Sequence, residues 1–167
     1  MPKQLLMMRH AKSSWDSGVA SDHQRPLNKR GRRDAPAMAS WLIEQDVVPE
    51  LVVSSDSRRT QETMERMLPV LEADGPLPKI DFQESLYHAP ANEWVDVLVE
   101  LPNDLQRVMF LGHNPGAEEF VAQFSGGYHT MPTAAIAVFE FNAETWQQCQ
   151  PAAATLHDVW RPKEVLV

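Results

Sequence analysis

Three short apolar runs constrain the fold most strongly: Leu5-Leu6-Met7-Met8, Leu51-Val52-Val53 and Val108-Met109-Phe110-Leu111. Each is apolar at consecutive positions rather than alternate ones, and each breaks abruptly into polar residues. That pattern suits a strand buried on both faces, as in a parallel sheet covered by helices above and below. The first run is followed by Arg9-His10-Ala11-Lys12-Ser13-Ser14, the second by Ser54-Ser55-Asp56-Ser57, and the third by Gly112-His113-Asn114-Pro115.

Between the runs the spacing becomes helical. Asn28 is a candidate N-cap, and Ala35, Met38, Ala39 and Leu42 share one face; Pro36 within that stretch predicts a kink or a break. Ser54 to Ser57 offers caps for a helix from about Arg58 to Leu71. Trp94, Val97, Leu98 and Leu101 mark one face of a helix over Glu93–Leu101. Asn114 as N-cap and Pro115 at the first helical position predict a helix through about Phe124, stopped by Gly126-Gly127. A short strand is expected within Ile80–Leu86, and later strands over Ala134–Phe141 and Ala153–Trp160. Strands alternating with helices specify an α/β fold with a mostly parallel central sheet, expected as one domain over residues 1–167.

The 167 residues are 43% hydrophobic and 23% charged, ordinary values for a globular chain, with a net charge of -8. An acidic surface disfavours nucleic acid and anionic membranes as partners, so any anion site must be a local concentration of basic groups. The basic run Lys29-Arg30-Gly31-Arg32-Arg33 lacks interleaved aromatics and reads as a solvated helix face. The single cysteine, Cys149, suits a reducing cytoplasm. No stretch approaches the ~20 apolar residues of a membrane span. The expectation is a cytoplasmic protein with neither nucleic-acid nor membrane partners.

In a parallel sheet the carboxyl ends of the strands lie along one edge, where ligands bind. Arg9-His10, Arg58-Arg59 and His113 all fall at or just beyond such ends. Two guanidiniums and two imidazoles around one point suit a compact oxyanion such as phosphate, and a helix start at Asn114-Pro115 adds backbone donors. A zinc site is the competing use of the six histidines, but no pair has zinc-helix spacing and the arginines repel a divalent cation. Nucleotide-binding glycine motifs and a Gly-x-Ser-x-Gly elbow are absent. A phosphate-binding module without turnover remains a reading that these residues allow.

Arg9-His10 after a hydrophobic strand, with Ser13 three residues on, resembles the signature of the histidine phosphatase, or phosphoglycerate-mutase-like, superfamily. Leu27-Asn28-Lys29-Arg30-Gly31 with Asp34-Ala35 is similar to its Leu-Thr-x-x-Gly segment. Ser55 to Thr63 resembles Ser-Pro-x-x-Arg-Ala-x-Gln-Thr, with Asp56 and Glu62 in place of the usual proline and glutamine. Gly112-His113-Asn114-Pro115 and the later Met131-Pro132-Thr133 look like the phosphohistidine phosphatase SixA branch. The resemblance runs from Leu5 to about Pro162.

That resemblance implies a three-layer αβα sandwich and a metal-independent hydrolase without a cofactor. His10 becomes the nucleophile and is transiently phosphorylated, while Arg9, Arg59 and His113 hold the phosphoryl oxygens. Counting back from Thr63 places the family's arginine on Arg59, with Arg58 the alternative. Ser13, Asn114 and Arg58 are the expected substrate-binding residues. The slot for a general acid falls at Leu86-Tyr87-His88, which makes His88 the first candidate and Glu84 the second. An imidazole leaves readily once protonated, so the lack of a clear carboxylate acid fits phosphohistidine in a protein better than an alkyl phosphate. A small phosphate ester is the alternative substrate, and the chain has little room for the insertions that shape mutase pockets. Trp15 and the 13–26 loop are placed to border the pocket.

Overall fold

The computed structural model describes residues 2–16 and 18–166. In order the elements are β1 (Lys3–Arg9), α1 (Lys29–Glu44), β2 (Leu51–Ser55), α2 (Arg58–Asp74), β3 (Lys79–Gln83), α3 (Ala91–Val99), β4 (Arg107–Gly112), α4 (Gly116–Ser125), β5 (Ile136–Phe141), β6 (Ala154–Trp160) and α5 (Pro162–Val165). Short 3-10 turns at Asp22–Gln24 and Glu84–Leu86 lie in the loops before α1 and after β3. The strands form one sheet in the order β3-β2-β4-β1-β5-β6. Its first four strands are parallel, and β5 and β6 add on antiparallel beyond β1. This is the mostly parallel three-layer sandwich that the apolar runs demand.

The consecutive apolar residues divide between two cores. Leu5, Met7, Val108 and Phe110 face α3 and α4, packing with Trp94, Leu98, Phe120 and Phe124. Leu6, Met8, Met109 and Leu111 face α1 and α2, packing with Met38, Leu42, Met64 and Met67. Each fully buried side chain of this size contributes roughly 1.5–3 kcal/mol, so both faces must be covered for the central strands to be stable.

One local expectation fails outright, and of the kink or break expected at Pro36 the break is absent. α1 continues through Pro36 without a break. Its cap holds, since Asn28 Oδ1 accepts from the Gly31 amide at 2.9 Å, and Ala35, Met38, Ala39 and Leu42 are completely buried. Burial of Met38 and Leu42 alone is of the order of the ~3 kcal/mol that an interior proline costs. Asn114, in contrast, is not an N-cap. α4 begins at Gly116 with Pro115 in the cap position and no side-chain cap, after a cis Asn114–Pro115 bond. The Asn114 side-chain Nδ2 instead donates to the Met131 carbonyl at 2.9 Å. Among the described residues no helix is long and apolar enough to cross a membrane.

Candidate active site

β1 and β4 lie side by side with Arg9 opposite Gly112, so the residues that follow each strand leave the sheet at the same level. The His10 amide donates to the Gly112 carbonyl at 3.1 Å, and the rings of His10 and His113 sit 5.2 Å apart between centroids. β2, the other neighbour of β4, ends at Ser55 and feeds α2, whose N-cap Ser57 accepts from the Thr60 amide. That cap places Arg59 in the first helical turn, where its Nε lies 3.4 Å from His10 Nε2. Arg59 is 1% exposed. Sequence-distant groups thus meet at the carboxyl edge because three adjacent parallel strands end together.

The His10 tautomer is fixed by a local bond. Nδ1 donates to the carbonyl of Ala11 at 2.7 Å, which leaves the lone pair on Nε2 facing Arg59. Burial pushes the imidazolium down to about 3; the Ala11 carbonyl opposes the shift, and the charges of Arg59, Arg9 and Arg25 reinforce it. His113 Nε2 lies 2.9 Å from Ser55 Oγ, and burial, with repulsion from His10 and Arg59, takes it to about 2. Both rings are therefore neutral at ordinary pH. Arg9 Nη1 donates to the Met131 carbonyl at 3.1 Å, while its buried Nε has no protein partner. Met131 is itself held by Glu118, which accepts from its amide at 2.8 Å.

A second layer converges on Asp22. Its Oδ2 accepts from Arg59 Nη2 at 3.1 Å, from His88 Nε2 at 3.0 Å and from the Tyr87 hydroxyl in a short hydrogen bond. Its Oδ1 accepts from Arg25 Nε at 2.9 Å, and its main-chain carbonyl accepts from Arg59 Nη1 at 2.9 Å. Partial burial would raise this carboxyl, but hydrogen bonds from Tyr87 and His88 and the charge of Arg59 hold it well below the usual carboxylate range. Sequence reasoning gave Asp22, Tyr87 and Arg25 no role, because nothing periodic marks the loop or the turn that carry them. The only local signal is an acid three residues before a base, Asp22 and Arg25.

Residues 5–88 match the family described as the histidine phosphatase superfamily, branch 1. The chain belongs to this superfamily. An uncharacterised chloroplastic protein of Arabidopsis thaliana is 32% identical over 155 residues, covering 87% of this chain and 70% of that one. Phosphohistidine phosphatase SixA of Escherichia coli K12 is 38% identical over 64 residues, 38% of each chain. A solved structure described as a putative SixA from Nakamurella multipartita matches with a TM-score of 0.81 at 21% identity, covering 97% of both chains. These likenesses support a phosphatase.

Set on the histidine phosphatase fold, the expected site residues separate clearly. Arg9, His10, Arg59 and His113 cluster at the strand ends, and His88 joins them, its ring 5.0 Å from that of His113. His88 takes a left-handed φ of 56°, an unfavourable conformation for a residue with a side chain. Arg58 lies outside the cluster, bonded to Glu62 at 2.8 Å on the exposed side of α2. Ser13 does not reach it either; its hydroxyl accepts from Arg25 Nη1 at 2.9 Å. Glu84 is exposed in its 3-10 turn. Trp15 is 74% exposed and stacks on the Arg25 guanidinium at 3.7 Å. Among the described residues no group of three or more His, Cys, Asp or Glu is disposed to hold a metal ion.

Proposed function

We propose that this protein is a metal-independent phosphatase that works through a phosphohistidine intermediate on His10, with phosphohistidine in proteins as its substrate class. The observation that carries the reading is the buried, tautomer-locked His10 with Nε2 beside the Arg59 guanidinium. A neutral imidazole with its lone pair on one defined nitrogen is a competent nucleophile. Nε2 attacks phosphorus and forms a P–N bond as the bond to the leaving group breaks, and the leaving atom takes a proton. Arg9 and Arg59 hold the phosphoryl oxygens, with His113 alongside, and offset charge through the transfer. Of the two acid candidates only His88 joins the cluster, so His88 is the proposed proton source. Water then attacks phospho-His10, the P–N bond breaks, and phosphate leaves with the neutral imidazole restored.

The charge of two arginines beside the nucleophile favours an oxyanion over a divalent cation, which supports metal independence. Resemblance to SixA supports a phosphorylated histidine as the substrate group. The test is incubation with a labelled phosphoryl donor, quenched at neutral to alkaline pH. The expected result is acid-labile label on His10, absent in His10→Ala, with full turnover after exhaustive chelation. Equal, slow hydrolysis of phosphohistidine and p-nitrophenyl phosphate by wild type and His10→Ala would show a binding module instead.

A further inference from the structure

Asp22 Oδ2 is the meeting point of three donors carried by two separate parts of the chain: Arg59 Nη2 from α2, and Tyr87 OH and His88 Nε2 from the segment after β3. Three convergent donors around one oxygen, next to the proposed nucleophile, are the environment that an oxyanion needs. The planar guanidinium sharpens the point. Nε and Nη2 form one edge of that fork, and along it Nε faces His10 Nε2 while Nη2 faces Asp22 Oδ2. A phosphoryl group received by His10 Nε2 needs that same edge for its oxygens. The carboxylate and the phosphoryl group therefore compete for one position.

The two ends of the Arg59–Asp22 pair differ in freedom. The Arg59 side chain is 2% exposed and that of Asp22 is 41% exposed. A cavity of about 360 Å³ adjoins Asp22, lined by residues that include Trp15, Val19 and Arg25. The Asp22 side chain has room to turn into it, toward Arg25, which already binds its other oxygen. The Asp22 main chain stays put, because its carbonyl accepts from the Arg25 amide and from Arg59 Nη1. Arg59 thus remains anchored through Nη1 while Nη2 changes partner.

Resting on the phosphatase reading, we infer that Asp22 is a specificity-determining resident anion: its Oδ2 keeps the place of a phosphoryl oxygen, and its side chain rotates off Arg59, Tyr87 and His88 as the phosphoryl group enters. The consequence is selectivity. Free phosphate has only its own charge and hydrogen bonds with which to displace the negative group already in the site. A phosphoryl group carried on a protein brings additional contacts that offset the exchange. On displacement the donor at His88 Nε2 is left facing the incoming group, and Asp22 weakens retention of the phosphate product.

The test compares inorganic phosphate binding by isothermal calorimetry in wild type, Asp22→Asn and Asp22→Ala. Both variants are expected to bind phosphate about tenfold tighter or more, the scale of one charge at a partly exposed site. The inhibition constant of phosphate against aryl phosphate hydrolysis should fall by a similar factor. Phosphate affinity equal to or weaker than wild type in both variants overturns the inference. Should the variants fail to fold, a crystal structure of the wild type with phosphate bound decides: Asp22 turned away from Arg59 Nη2 supports displacement, and Asp22 unmoved overturns it. Binding needs no turnover, so a failure of this inference is distinct from a failure of the phosphatase reading, which His10 labelling reports separately. If neither wild type nor variants bind phosphate, the inference falls, and His10 labelling alone decides the phosphatase reading.

Discussion

The Nδ1 of His10 lies 2.7 Å from the carbonyl oxygen of Ala11, its neighbour in the chain. That bond fixes which ring nitrogen holds the lone pair, and burial keeps the ring neutral down to about pH 3. Activity through His10 therefore has no acid limb near the ordinary imidazole value of about 6.5. Single-turnover transfer to His10 is expected to show no fall between pH 7 and pH 5. A rate that falls with a midpoint near 6.5 would mean that His10 titrates in that range and is not protected as the geometry indicates.

The same two rings set the response of stability to acid. Buried His10 and His113, at about 3 and about 2 in the fold, bind protons far less readily than they do unfolded. Below about pH 6.5 the unfolded chain takes up more protons, so stability is full above that value and declines as pH falls toward 3. Each ring contributes a slope of about 1.4 kcal/mol per pH unit, about 2.7 for the pair. Urea midpoints measured between pH 7 and pH 4.5 should show this decline, and His113→Gln should reduce the slope attributable to the pair by about half.

Arg58 and Arg59 are adjacent in sequence and opposite in consequence. Arg59 is buried against His10 and Asp22, whereas Arg58 pairs with Glu62 at the surface. Removing a charged donor aimed at the transition state costs about 10²–10³ in rate, and an exposed i,i+4 pair contributes only about 0.3–0.5 kcal/mol. Arg59→Ala should lower kcat/KM by about two to three orders of magnitude, with Arg59→Lys only partly restoring it. Arg58→Ala should stay within about threefold of wild type. Equal losses in the two alanine variants would move the phosphate clamp off Arg59.

The parallel sheet was legible because Leu5 to Met8 and Val108 to Leu111 are apolar at every position, a pattern that a strand exposed on one face would not show. The convergence of Arg9, His10, His113 and an arginine of the Arg58-Arg59 pair followed from the topology, since they sit at or just beyond the ends of adjacent parallel strands, and the resemblance to the family singled out Arg59. Asn114 misled because its side chain, polar and before a proline, has two uses. The one adopted depends on Met131, 17 residues downstream, which no local pattern reveals. At Pro36 the helix runs on unbroken for the opposite reason, since buried neighbours outweigh its local cost. Asp22, Arg25 and Tyr87 were silent because their positions come from irregular backbone, where spacing carries no directional information.

Gly116, the first residue of α4, supports His88 from behind. A Cβ at that position would lie 2.0 Å from the carbonyl oxygen of Ala89, the residue after His88. The obstacle is backbone rather than a flexible side-chain end, so relief requires the 88–90 segment to move away from α4. That segment holds His88 in its left-handed conformation with its ring against His113. Gly116→Ala should cost about 1–3 kcal/mol, in the manner of an overpacked core, and should also lower kcat more than it raises KM, because the displaced group is the proposed proton source. At Gly127 an added Cβ meets nothing within 4 Å, so Gly127→Ala should change stability by less than about 0.5 kcal/mol. Urea unfolding and steady-state kinetics on the two variants check both halves. If Gly116→Ala matches Gly127→Ala in stability, the contact with Ala89 yields easily. If it is destabilised but turns over normally, His88 is not held from this side.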